Sequence, residues 1–93
     1  MKVCVQYTAQ LRVAVGRAED VVDLPAGSSL ATVITHLTAR LDVAAQHLLC
    51  PDGRLQPSLL IAVNDAAVAA RDAASFALQG GEVITLLPPI AGG

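Results

Sequence analysis

Few residues of this 93-residue sequence carry side chains that commonly do chemistry. Cys4, Cys50, His36 and His47 are metal-ligand types, but no pair of them stands at the spacing of a metal site. HExxH, CxxC and GxSxG motifs are absent, and so is a phosphate-cradling glycine loop. Asp52 falls in Pro51-Asp52-Gly53-Arg54 and Asp65 follows Asn64, so turns explain both better than acid–base work. Ser28 and Ser29 stand where a helix needs a cap. No metal site is expected.

The exception is the stretch Pro88-Pro89-Ile90-Ala91-Gly92-Gly93. Prolines fix φ and hold a segment extended, away from a sheet. Six residues at about 3.3 Å each reach roughly 20 Å. Glycines without a β-carbon thread a narrow channel and adopt backbone conformations closed to other residues. The Gly93 carboxylate is then unhindered and deliverable into another protein's active site. A carboxylate is inert until it is converted to a better electrophile, so a partner must activate it. Terminal glycines alone would read as a frayed end. Here they follow a strand expected at a sheet edge and a Pro-Pro spacer, which favours a functional tail over residues 88–93.

The elements that must hold this tail are readable in outline. Val3, Val5 and Tyr7 alternate on one face of a strand, and 19–24 reads as a second strand closed by Pro25-Ala26-Gly27. A short connection between them suits antiparallel pairing. Leu30, Val33, Ile34, Leu37 and Leu41 form one helical stripe behind a Ser29 cap. Residues 42–49 hold a further helical turn. The run 58–63, apolar on both faces, suggests an interior strand, whereas 66–78 is ambiguous. Residues 82–87 form a last strand that Pro88-Pro89 ends, proline having no N–H to give. The expected fold is α+β: a ubiquitin-like β-grasp domain over 1–87, its mixed sheet of four to five strands packed on one main helix.

Composition narrows the class further. The chain is 54% hydrophobic and 15% charged, against about a quarter charged in ordinary domains, which excludes a disordered chain. No apolar run reaches the roughly 18 residues of a membrane span, and no signal segment is visible, so no membrane partner is expected. Net charge is −2, the five arginines are scattered, and Tyr7 and Phe76 are the only aromatics. Nucleic acid is therefore not an expected partner. Cys4 and Cys50 lie among apolar neighbours and read as buried free thiols, which favours a reducing cytoplasm. The apolar surplus suggests an exposed apolar sheet face near the last strand and the tail.

Three stretches together resemble the MoaD/ThiS family of ubiquitin-like sulfur carriers. Tyr7-Thr8-Ala9-Gln10-Leu11-Arg12, followed by Gly16, is similar to the first-strand exit of molybdopterin synthase small subunits. Leu24-Pro25-Ala26-Gly27-Ser28-Ser29-Leu30 resembles their approach to the main helix. The stretch from Gly81 to Gly93 resembles their final strand and tail, and Val63-Asn64-Asp65 fits the family's turn after the third strand. The resemblance implies that a ubiquitin-activating-type adenylating enzyme uses ATP to convert the Gly93 carboxylate to an acyl-adenylate. A sulfur donor then displaces AMP, leaving a thiocarboxylate on Gly93. Pro88, Pro89, Ile90, Ala91 and Gly92 would contact the partners, chiefly a sulfur-accepting synthase such as the molybdopterin synthase large subunit. The chain would be no enzyme alone and bind no cofactor itself.

Length, the Tyr-x-Ala-x-Leu-Arg stretch and Pro-Pro favour the molybdopterin branch over thiamine-type carriers. Pro51-Asp52-Gly53-Arg54-Leu55-Gln56-Pro57 instead resembles stand-alone carriers for cysteine or secondary-metabolite sulfur. Gly80-Gly81 replaces the acidic turn common before the last strand. A ubiquitin-like protein modifier and a non-covalent β-grasp interaction module share the same features. Lys2, the only lysine, argues against lysine-linked chains of this protein.

Overall fold

A computed structural model describes residues 1–88. Strand β1 (Lys2–Tyr7) buries Val3, Val5 and Tyr7, as the period-two pattern predicts. It pairs antiparallel with β2 (Glu19–Asp23). The connection is not a plain loop but a short helix, α1 (Ala9–Val15), in which Leu11 is the buried residue. Gly16 ends α1 at φ +86°, and its N–H donates to the Arg12 carbonyl. That backbone conformation favours glycine over any residue with a β-carbon.

Helix α2 (Leu30–Arg40) follows the predicted stripe: Leu30, Val33, Ile34 and Leu37 are buried. The Thr32 N–H donates to Ser29 Oγ at 3.3 Å, so the cap is present as expected. Leu41, the last residue of the stripe, adopts an extended conformation that ends α2. It is followed by α3 (Asp42–Leu48), which buries Ala44 and Leu48. The helical turn expected there is therefore about two turns long.

The sheet has five strands in the order β2-β1-β5-β3-β4, where β3 is Leu60–Val63, β4 is Ala66–Ala69 and β5 is Val83–Leu87. Strands β1 and β5 run parallel and every other pair is antiparallel. The last strand is thus central, not at an edge as the sequence suggested. Pro88 stands just past it and costs no ladder bond, so an alternating strand such as 83–87 can pair on both sides. Strand β3 is interior as expected, but only Ile61 and Val63 are buried, while Leu60 is 65% exposed. The ambiguous stretch resolves into β4 and a 3₁₀ turn (Ala70–Ser75).

Asn64 (φ +49°) and Asp65 (φ +70°) make the two-residue turn between β3 and β4. Both sit in the left-handed region that such hairpins need and that Asn and Asp tolerate. Asn64 also grips β5: its N–H donates to the Val83 carbonyl at 2.9 Å. The Val83 N–H in turn donates to Asn64 Oδ1 at 2.9 Å. Replacing Asn64 by Ala removes that acceptor and places a less tolerant residue at positive φ. The two effects together should cost about 2–3 kcal/mol. Urea denaturation should show a lower midpoint at an unchanged slope; an unchanged midpoint would refute this role for Asn64.

Candidate functional site

The site is built outward from β5, because this strand carries the tail. At its start, Glu82 is buried. Its Oε2 accepts the Gln79 N–H and its Oε1 the Gly80 N–H, both at 2.7 Å. These backbone donors, Gln79 first, hold the carboxyl below its ordinary range, against the opposing effect of burial. The turn so closed places Gly80 at φ +107° and Gly81 at φ +83°. A β-carbon on Gly80 would stand 3.3 Å from Met1 Cβ. Gly81 N–H donates to Lys2 O at 2.7 Å and Cys4 N–H to Glu82 O at 2.9 Å, which docks the turn on β1.

At the other end, β5 is held to its last residue. Leu86 lies opposite Tyr7 of β1, and Leu87 opposite Leu60 of β3. Thr8 Oγ1 donates to the Leu86 carbonyl at 2.8 Å. Tyr7 is itself fixed, its OH donating to Asp20 Oδ2 at 2.8 Å. Burial and this bond push the phenol well above its usual range. The ladder stops at half-buried Pro88. Five expected site residues, Pro89, Ile90, Ala91, Gly92 and Gly93, lie outside the described residues.

Beside the point where the chain leaves the sheet lies an apolar surface. Leu60 and Leu87 (37% exposed) stand there as a cross-strand pair, with Ala62, Ala67 and Ala69 around them. They line a groove of about 430 Å³. The expectation of exposed aliphatic residues near the last strand is met at these two leucines. An exposed apolar patch without charged residues is the kind of surface that docks a partner.

The remaining candidates have structural work. Ser28 Oγ donates to Pro25 O at 2.7 Å, and Asp52 Oδ1 accepts the Arg54 N–H at 3.0 Å. His47 Nδ1 lies 2.8 Å from Val43 O, and His36 Nε2 lies 3.4 Å from Arg40 Nη1. Cys4 and Cys50 are free and half-buried rather than buried, because Cys4 lies on the outer sheet face. Its thiol donates to Glu19 Oε2 at 3.2 Å, and burial and Glu19 together push its pKa up. A reactive thiolate would need the opposite environment. Among the described residues, no three His, Cys, Asp or Glu side chains are grouped to hold a metal. Sequence reading missed Thr8, Asn64 and Glu82 as clamps of β5; each looked like an ordinary turn or strand residue.

A mixed five-stranded sheet with helices on one face, its last strand central, defines the ubiquitin-like β-grasp fold. The ThiS family profile matches residues 5–93. The chain belongs to the ThiS family, whose members are ubiquitin-like sulfur carriers, small partner proteins without catalysis of their own. Among solved structures, SAMP1 from Haloferax volcanii is similar over 100% of both chains, with TM-score 0.87 and 20% identity. A Pyrococcus furiosus protein described as molybdopterin converting factor subunit 1 is 25% identical over 97% of this chain and 99% of its own, with TM-score 0.73. A chain of the BexX/CysO complex from Amycolatopsis orientalis is 25% identical over 98% of this chain and 99% of its own, with TM-score 0.67. No functionally curated sequence matches. Among the described residues no helix is long and apolar enough to cross a membrane.

The Glu82 clamp gives the fold a pH dependence with a definite sign. A carboxyl whose folded pKa is depressed stabilises the fold above its unfolded value, 4.5 for this group. That stability is lost as pH falls through the folded pKa. Glu82→Gln should lower stability at neutral pH by about 1–3 kcal/mol and flatten the acid limb of the melting temperature. Parallel acid limbs in wild type and variant would contradict the assignment.

Proposed function

We propose that this chain carries sulfur as a thiocarboxylate on Gly93, free as the chain end or freed by processing. A ubiquitin-activating-type enzyme joins the carboxylate to the α-phosphate of ATP and releases pyrophosphate. A sulfur nucleophile then attacks the acyl carbon and displaces AMP, which is a far better leaving group than oxide. The tail delivers the sulfur to a synthase, and our reading favours the molybdopterin synthase large subunit. What carries the proposal is family membership together with a rigid central strand ending beside an exposed leucine pair. The likeness to the P. furiosus protein supports the molybdopterin branch. The likeness to the BexX/CysO chain favours a second reading, a stand-alone carrier for another sulfur pathway.

In this reading the labour is divided: residues 1–87 serve as the β-grasp domain, and 88–93 as the tail that a partner's channel accepts. Binding energy comes from the Leu60–Leu87 surface, while reactivity resides in one terminal group about 20 Å of chain away at full extension. The carrier needs no cofactor of its own, since ATP is consumed by the activating enzyme.

Isotope exchange between pyrophosphate and ATP on a cognate adenylating enzyme tests the reading. The full chain should support exchange and a chain lacking Gly93 should not; equal exchange with both would overturn it. Leu60→Arg separates docking from folding, because the side chain is already mostly in water. Its melting temperature should stay within a few degrees of wild type. Sulfur transfer to the synthase should fall at least tenfold, and unaltered transfer would remove Leu60 from the docking surface.

A further inference from the structure

Away from the tail, the sheet has an open edge at β2, and the ladder register shows which groups it presents. Ala18 O accepts from Tyr7 N, Leu24 N donates to Met1 O, and the Met1 ammonium donates to Leu24 O. Even-numbered residues of 18–24 therefore face β1. The N–H and C=O groups of Glu19, Val21 and Asp23 point outward, where no strand of the described residues lies. Between this edge and α2 runs a groove of about 200 Å³. Val22 and Leu37 form its apolar wall, and Asp20, Arg17, His36 and Arg40 its polar part.

Charge in the groove is unbalanced. Asp20 is committed: Arg17 Nε and Nη2 reach its two oxygens, each at 2.7 Å, and Tyr7 donates to one of them. Arg40 makes no ion pair among the described residues. It acts on Asp20 only at longer range. One guanidinium and one imidazole thus face a groove whose only carboxylate is already engaged.

We propose that β2 and this groove bind an extended segment of another protein, added as a sixth strand. On the helix-facing side, that segment carries apolar residues over Val22 and Leu37 and a carboxylate toward Arg40 and His36. Symmetric pairing of this edge with that of a second copy is disfavoured in the register centred on Val21. Antiparallel pairing of β2 with itself about Val21 sets Glu19 against Asp23, and like charges directly opposite are destabilising. These acids are the usual guard against edge-to-edge self-association. A partner with the required alternation is admitted, and the surface is separate from the chemistry proposed for Gly93.

The test is an amide NMR titration of the full chain with two synthetic peptides. Both alternate threonine with, in order, two valines and two glutamates, one in each chain direction. At least one should shift the Glu19, Val21 and Asp23 amides and slow their hydrogen exchange. Replacing the peptide's glutamates by glutamine, or Arg40→Glu in the protein, should weaken binding about fivefold, as for a partly exposed ion pair. Val21→Pro removes an N–H that no strand uses, so the fold should persist while binding is lost. Should that variant unfold, the glutamine peptides and Arg40→Glu decide alone. Removing Gly93 should leave binding unchanged, which separates this surface from the sulfur-carrier reading. Silence at the three amides at millimolar peptide would overturn the proposal. So would equal binding of glutamate and glutamine peptides, or shifts that appear with protein concentration alone.

Discussion

The structure depends on β5 being hydrogen-bonded on both sides. A tail delivered into another protein is useful only if its base does not give way when pulled. Parallel pairing to β1 and antiparallel pairing to β3 tie the strand across the middle of the sheet. Its inward residues, Ile84 and Leu86, are fully buried. Clamps close both ends: Glu82 and Asn64 at the start, Thr8 at the finish. Net hydrogen-bond contributions are only about 1 kcal/mol each, so no single clamp suffices. Their number, together with burial, holds β5 firmly in the middle of the sheet.

Much of this was legible in the residues. The α2 stripe and its Ser29 cap are local features, with one period and one side-chain bond, and they appear where the sequence places them. The central position of β5 was not legible. Strand order is decided by contacts between residues 79 positions apart, and a terminal strand followed by prolines looks the same at an edge or in the middle. Helix α1 escaped notice because seven residues with one buried side chain show no period. Its one signal was Gly16, a left-handed helix stop. Glu82 reads as a strand residue; only the paired positive φ of Gly80 and Gly81 shows that it organises a turn.

Composition also gains a meaning. An aliphatic chain with few charges builds its core from Val, Leu and Ile, with Tyr7 the one large aromatic fully inside. The surplus reaches the surface in particular places. Leu60 and Leu87 sit where the chain leaves the sheet, and Val21 lies on the open β2 edge. Val13, on the exposed side of α1, is the most exposed large aliphatic, and nothing in the structure explains it. Two proposed faces for partners would suit the proposed carrier, which would meet an activating enzyme before a sulfur acceptor.

The account stands on the chemistry of one terminal group, which intact-protein mass spectrometry reads directly. After incubation with ATP, a cognate adenylating enzyme and a sulfur donor, the mass should rise by the replacement of one oxygen with sulfur. Fragmentation should place the change on Gly93. An unchanged mass with an enzyme that forms the adenylate, or sulfur found on Cys4 or Cys50 instead, would contradict the account.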